Sequence, residues 1–164
     1  VRLLLESLNS RRALWHRAAE LNLNLVIFST HNITQSFDQL KNFIQDHPST
    51  KIILSHFGLD LEIQEEEFDR QWTVYQLAEY DNVYFQVSGM HMFCDYPFNS
   101  MRELVNQAIT SFGPERMLWG GNYPVVGTDE DYTREAHFIR TGGFDIPPPA
   151  VTKITSDTPK TVWF

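Results

Sequence analysis

The stretch Val83-Tyr84-Phe85-Gln86-Val87-Ser88, residues 83–88, decides the fold class of this chain. Side chains on a strand alternate between two faces, so the two valines and Phe85 share one face and Tyr84, Gln86 and Ser88 share the other. The first face is wholly apolar and suits packing under helices. The second face becomes polar towards the carboxyl end. We therefore predict a strand that is covered by helices on one side and ends in polar groups on the other.

Similar apolar runs lie on both sides of this strand. Residues 51–56 form the nearest upstream run, residues 25–28 precede it, and residues 115–119 lead into a fourth strand. Stretches with the apolar periodicity of helices separate the runs. These predicted helices cover residues 10–21, 36–45, 63–80, 99–112 and 131–140. Strands that alternate with helices of this length predict an α/β fold with four parallel strands and helices.

Polar side chains follow the predicted strands at the points where they end. In parallel α/β sheets the functional groups gather at the carboxyl ends of the strands. Those ends carry His56, Gln86, Ser88 and Asn122, and residues 52, 54 and 56 are expected to point one way. We therefore predict that His56, Ser88 and Asn122 line one common mouth. A lone histidine at a strand end is more often a hydrogen-bonded structural residue, so that role for His56 is the alternative.

Composition limits the classes of function. The chain has 164 residues and a formal net charge of -8, which argues against a nucleic-acid partner because phosphate binding needs a basic surface. No apolar run approaches the roughly 18–20 residues of a membrane span, and no signal peptide is expected at the first residues. The single cysteine, Cys94, cannot form an internal disulfide, so we expect a cytoplasmic protein and an unreactive loop thiol.

Three segments, in order, resemble one known family. They are Ile52-Ile53-Leu54-Ser55-His56-Phe57-Gly58, then Asn82-Val83-Tyr84-Phe85-Gln86-Val87-Ser88-Gly89, then Phe112-Gly113-Pro114-Glu115-Arg116-Met117-Leu118-Trp119-Gly120-Gly121-Asn122-Tyr123-Pro124. The series is similar to the amidohydrolase-related family (amidohydrolase 2 type), which includes pyrone-dicarboxylate lactonase-like hydrolases and aromatic-acid decarboxylases. The resemblance covers nearly the whole chain. It implies that residues 1–164 form a single, partial domain, the C-terminal half of a TIM (βα)8 barrel.

The resemblance also implies a set of site positions, of which this chain keeps few. The family's metal-binding His-x-His pair lies on the first barrel strand, which we expect to be missing here. Phe28 occupies the position of the histidine that closes the fifth strand, and His31 is a displaced candidate. His56 matches the histidine of the sixth strand, and Asn122 replaces the aspartate of the eighth. We therefore expect no metal site in this chain by itself; zinc is possible only in a full-length parent.

Two classes of function follow. In the first, the protein is a hydrolase that acts on a lactone or cyclic ester of a carboxylic acid, with His56 and Asn122 as catalytic residues. Its small-molecule substrate would contact Gln86, Ser88, His91 and His31. Aromatic-acid decarboxylation in the full-length parent is a variant of this class. In the second, the chain is a truncated or degenerate half barrel without catalysis, with a binding or vestigial role. A half barrel leaves strand edges open, so a homo-oligomer that completes the barrel is a further hypothesis.

Overall fold

Five parallel strands form one sheet in the order β1-β2-β3-β4-β5. The structure, a computed structural model, describes residues 1–31, 33–125 and 127–164, and their side chains except those of 69–71. The strands are β1 (Arg2–Leu4), β2 (Leu25–Phe28), β3 (Ile52–Leu54), β4 (Val83–Ser88) and β5 (Met117–Gly120). Each strand pairs with its neighbour in sequence, so their carboxyl ends share one edge. The predicted parallel α/β sheet is confirmed.

The described residues form five strands rather than the predicted four. The additional strand, β1, pairs with β2 through the registers Arg2↔Val26, Leu3↔Ile27 and Leu4↔Phe28. A strand of three residues shows no full period of alternating polarity, so its sequence carries no strand signal of its own. Its pairing with β2 supplies the stability that the local pattern cannot predict.

Helices fill the connections between the strands. They are α1 (Ser7–Ser10), α2 (Arg12–Glu20), α3 (Phe37–Asp46), α4 (Arg102–Phe112), α5 (Asp129–Arg140), α6 (Pro148–Thr152) and α7 (Thr158–Trp163), with a π-helical segment, Lys153–Asp157, between the last two. The predicted helix at residues 63–80 is a 3₁₀ helix, Glu65–Glu79. Because 3₁₀ geometry rises about 2.0 Å per residue, this segment reaches further along the sheet than an α-helix of the same length. None of the described helices is long and apolar enough to cross a lipid bilayer.

The two faces of the sheet bury different sets of side chains. Leu25, Ile27 and Phe85 belong to the large core between the sheet and the helices, together with Val83 and Val87 as predicted. The opposite face carries a small cluster in which Ile53 and Leu118 pack with Val162 of α7. This second face is concave in a barrel, and α7 covers part of it. The polar side chains Gln86 and Ser88 at the end of β4 lie on this second face, opposite the large core.

Candidate active site

A left-handed turn brings His56 to the carboxyl edge of the sheet. Alternation along β3 alone would not place it there, because Ile52 and Leu54 lie on the helix-packed face. His56 has a φ of 54°, and Phe57 and Gly58 follow with φ of 62° and 65°. Three successive residues in this region redirect the chain at once. The predicted alternation through residues 52, 54 and 56 was thus wrong in its reasoning, although the histidine does reach the predicted edge.

His56 is held by the residue that ends the neighbouring strand. Its backbone N–H donates to Ser88 Oγ over 3.0 Å. Its ring Nδ1 lies 3.3 Å from the carbonyl oxygen of Ser88 and 3.2 Å from Ser88 Oγ. Both residues are buried, with 1% of His56 and 2% of Ser88 exposed. Two of the predicted site residues are therefore in direct contact, and the imidazole is fixed at one nitrogen.

The other ring nitrogen of His56 faces an arginine. Arg2 Nη2 lies 2.8 Å from His56 Nε2. A guanidinium group carries only donors, so Nε2 must accept and the ring proton must sit on Nδ1, where it points towards Ser88. His56 is therefore a neutral imidazole whose Nε2 lone pair points towards Arg2.

The surroundings of His56 favour that neutral state. Burial lowers the pKa of His56 to about 4, the hydrogen bond with the Ser88 backbone opposes this effect, and the charge of Arg2 adds to the lowering. An ordinary histidine has a pKa near 6.5, so His56 is uncharged throughout the neutral range. An uncharged histidine of this tautomer can accept a proton at Nε2 once Arg2 leaves that nitrogen, but it cannot donate a hydrogen bond from Nε2 to a carbonyl.

Arg2 is the functional candidate that sequence reasoning missed. It lies on β1, the strand that was not predicted, and its guanidinium carbon sits 4.6 Å from the centroid of the Phe28 ring. Phe28 takes the position where the resemblance implies a histidine, so an aromatic face supports the arginine there. The only available signal was the pairing of Val1 to Leu5 with the next apolar run, which would have placed Arg2 on the inner face.

The side-chain amide of Gln86 lies against Gly120 of the neighbouring strand. A Cβ added at Gly120 would come within 2.6 Å of Gln86 Nε2 and 3.8 Å of the Ser88 Cβ. Gly120 therefore leaves room for the amide of Gln86 to cover β5. Gln86 and Ser88 share one face of the sheet, as the alternation along β4 predicts.

Asn122 joins the same edge through a chain of contacts. Its Nδ2 lies 3.3 Å from Met92 Sδ, and its φ is 53°. A Cβ at Gly89 would lie 2.7 Å from Met92 Sδ and 3.5 Å from His56 Nδ1. Contacts thus run from His56 past Gly89 and Met92 to Asn122. Because sulfur is a weak acceptor, the amide nitrogen faces Met92 and the amide oxygen of Asn122 is left for another partner.

The two remaining histidines of the predicted site lie elsewhere. His31 is exposed, and its Nδ1 is 3.1 Å from Thr30 Oγ1. The backbone N–H of His31 donates to Glu6 Oε1 over 3.0 Å. His91 contacts Glu135, with Nδ1 and Oε1 separated by 2.5 Å. The predictions that His31 and His91 touch substrate therefore receive no support from contact with the His56 cluster.

Glu6 and Glu135 are charged groups that the sequence did not single out. Glu6 Oε1 accepts from Thr30 N, Thr30 Oγ1 and His31 N over 2.8 to 3.0 Å. Burial raises the pKa of Glu6, but these hydrogen bonds outweigh it and bring the value down to about 2. Burial raises the pKa of Glu135, and its hydrogen bonds from His91 oppose that rise. From sequence alone, acidic residues in helices or turns are expected to be surface groups. Only the fold shows which of them have buried contacts.

Comparison with known proteins places this geometry in a family. The sequence profile of the Amidohydrolase family matches residues 2–164. Protein y4mH of Sinorhizobium fredii, which is uncharacterised, is 30% identical over 91 residues, covering 53% of this chain and 31% of that protein.

Two solved structures share the fold. A Pseudomonas putida protein, provisionally assigned as a 2-pyrone-4,6-dicarboxylic acid hydrolase, has a TM-score of 0.73 at 17% identity, covering 99% of this chain and 62% of that one. A Burkholderia multivorans amidohydrolase with bound zinc has a TM-score of 0.71 at 16% identity, covering 98% and 62%. The chain therefore spans less than two thirds of the length of these proteins, and its sheet is part of a (βα)8 barrel.

The described residues do not fit a metal ion of the kind that the Burkholderia protein holds. They contain no group of three histidine, cysteine, aspartate or glutamate side chains that could bind one. His56 Nε2 faces the guanidinium of Arg2 at 2.8 Å, and a second cation there would meet its charge. His56 Nδ1 is directed to Ser88.

Proposed function

Because the chain belongs to the amidohydrolase family, we propose that the full-length protein hydrolyses a lactone or cyclic ester that carries a carboxylate. One observation carries the proposal: a guanidinium lies 2.8 Å from the lone-pair nitrogen of a buried, neutral histidine at the carboxyl edge of a parallel sheet. This pair combines a site for an anion with a proton acceptor. Ester hydrolysis of an anionic substrate needs both.

Arg2 would bind the carboxylate of the substrate. Guanidinium groups match carboxylates through two parallel N–H donors, and Arg2 uses one of its five donors on His56. The guanidinium of Arg2 lies over the ring of Phe28, and this contact helps to fix its orientation. A carboxylate would also compete with His56 for the guanidinium and offset its charge. Binding of the substrate would thereby release Nε2 and raise its basicity.

His56 would accept the proton of the attacking water. Nε2 takes one proton from water, and the resulting hydroxide attacks the acyl carbon of the cyclic ester. The ring C–O bond then breaks, and the alkoxide oxygen takes the proton back from the imidazolium. Ser88 would hold Nδ1 in both protonation states of Nε2, because its two oxygens lie 3.3 and 3.2 Å from that nitrogen. The products are a carboxylic acid and an alcohol in one opened molecule.

Asn122 would position the substrate or the attacking water and would not act as a base. A carboxamide cannot deprotonate water, but its oxygen can accept a hydrogen bond from a substrate hydroxyl or from the attacking water. The contact of its Nδ2 with Met92 leaves the oxygen for that purpose. The degenerate, non-catalytic alternative is favoured by this asparagine, by Phe28 and by the expected lack of the first-strand ligands, so an activity assay has to separate the two functions.

The test is a hydrolysis assay on the full-length protein with matched histidine variants. The substrate would be 2-pyrone-4,6-dicarboxylate, and an uncharged pyrone would serve as the comparison. We expect ring opening of the dicarboxylate, and we expect His56→Asn to lower kcat about a hundredfold or more. His137→Asn, on an exposed face of α5, is the control and should leave kcat unchanged.

Three results would contradict the proposal. Ring opening that is unaffected by His56→Asn would remove His56 from the mechanism. No ring opening of either pyrone, with carbon dioxide released from a hydroxybenzoate, would identify a decarboxylase instead. No reaction with any of these compounds would favour the non-catalytic alternative.

A further inference from the structure

A buried glutamate on α5 holds the loop that follows β4. Glu135 is completely buried, and its Oε1 accepts from two groups of the same residue. The backbone N–H of His91 donates to it over 2.8 Å, and His91 Nδ1 lies 2.5 Å away. A buried carboxylate is costly unless it is paired, and Oε1 of Glu135 is paired with His91 of the loop. The loop is thereby attached to α5 at its backbone and at its side chain.

The same histidine touches the loop that follows β5. A Cβ added at Gly127 would lie 2.5 Å from His91 Nε2 and 2.9 Å from His91 Cε1. Gly127 has a φ of 84°, a conformation that favours glycine. His91 therefore fits against the backbone of the β5 loop at a point where no other residue leaves room. Its ring stands between Glu135 on one side and Gly127 on the other.

Both loops contribute to the candidate active site. Met92 follows His91 directly, and its sulfur contacts Nδ2 of Asn122, which begins the β5 loop. Gly89, at the start of the β4 loop, lies beside Met92 Sδ and His56 Nδ1. A movement of His91 would therefore shift the contact between Met92 and Asn122. The hydrogen bonds of Glu135 with His91 connect it to these neighbouring residues.

We propose that Glu135 is a positioning residue that, through His91, locks the β4 and β5 loops together and so sets the place of Asn122 at the site. Its effect on the loops stands independently of the reaction, whereas its effect on catalysis rests on the proposed function. If Glu135 only filled space, its replacement by an apolar residue would not affect the two loops. Apolar residues of similar size often replace buried charges without loss of stability, and a filler would leave the loops unchanged.

The test is hydrogen exchange of the two loops in the full-length protein. The reporters in the first loop are the amide of His91, which donates to Glu135, and the amide of Met92, which donates to the carbonyl of Gly89. The reporter in the second loop is the amide of Val125, which donates to the carbonyl of Asn122. We expect Glu135→Leu to speed their exchange about tenfold or more, because the His91 donors lose their buried acceptor. Glu135→Gln keeps an acceptor and should retain most of the protection. Glu130→Leu, an exposed position on the same helix, is the matched control and should change nothing.

A second variant keeps the proposal testable if Glu135→Leu does not fold. His91→Asn retains the backbone donor to Glu135 but removes the ring from Gly127. We expect the amide at position 91 to stay protected while Val125 exchanges faster. Unchanged exchange at Val125 in both variants would overturn the proposal, as would equal effects of Glu135→Leu and Glu130→Leu.

The catalytic consequence is measured separately. If the proposed hydrolysis occurs, Glu135→Leu should lower kcat more than it changes KM, and Glu135→Gln should restore most of kcat. If no hydrolysis is found, the exchange data still decide the positioning role. Failure of the function and failure of the positioning proposal are therefore distinct results.

Discussion

His56 owes its chemistry to its immediate neighbours. Ser88 fixes the proton on Nδ1, Arg2 occupies the lone pair of Nε2, and burial keeps the ring neutral. None of these effects can be read from the segment Ser55-His56-Phe57, because the left-handed turn that buries the ring is a product of the packed structure. The sequence identified the residue, and the fold defined its tautomer.

This environment predicts the titration of His56. Its pKa of about 4 lies below the usual 6.5, so the unfolded chain binds more protons than the folded chain between these values. Stability from the neutral ring is therefore complete above pH 6.5 and is lost as the pH falls to about 4, up to about 3 kcal/mol. Nitrogen NMR of the full-length protein should show His56 with an unprotonated Nε2 at pH 6.

The matched control is His56→Asn, which does not titrate. Its stability should change less between pH 7 and pH 4.5 than that of the wild type. Titration of His56 near its ordinary pKa, or a proton found on Nε2, would contradict the tautomer and remove the proposed base.

At the scale of elements, Arg116 joins three segments below the sheet. Its place before β5 suggests a residue that fixes the turn by pairing with a carboxylate. The structure instead gives it three carbonyl acceptors: Phe112 at 3.1 Å, Tyr80 at 2.8 Å and Ala78 at 2.9 Å. The guanidinium carbon also lies 5.5 Å from the centroid of the Phe112 ring. One side chain thus ties the end of α4, the end of the 3₁₀ helix and the start of β5.

Loss of this junction should be costly. We expect Arg116→Met to lower the free energy of unfolding by about 2 kcal/mol, because three carbonyls lose a charged donor. Arg116→Lys keeps the positive charge but loses the planar group with several N–H donors. Its free energy of unfolding should therefore lie between those of the wild type and Arg116→Met. Chemical unfolding measures both, with Arg140→Met on the exposed side of α5 as the control. Equal losses for positions 116 and 140 would show that the junction adds nothing.

The elements differ in how well their sequence predicts them. The six residues of β4 carry a complete alternating pattern, and both of its faces lie as the pattern indicates. The three residues of β1 carry none, so the strand and Arg2 with it escaped prediction. Long-range pairing, rather than local preference, forms the shorter strand. The periodicity of the sequence therefore could not predict the part of the site that depends on β1.

For the molecule as a whole, the parallel order of the strands assembles the candidate site. Arg2 comes from β1, His56 follows β3 and Ser88 ends β4, so residues 54 and 32 positions apart meet at one place. The strand order was predictable from the alternation of elements, and with it the common edge. Because the chain spans less than two thirds of the two solved structures, its activity is a proposal for the full-length protein.

A double-mutant cycle on kcat/KM tests most directly whether Arg2 and His56 act as one unit. The four proteins are the full-length wild type, Arg2→Met, His56→Asn and the double variant, assayed on the pyrone dicarboxylate. If the pair acts together, the double variant should lose little more than His56→Asn alone. Losses that multiply would show instead that the two residues contribute independently and do not act as a unit.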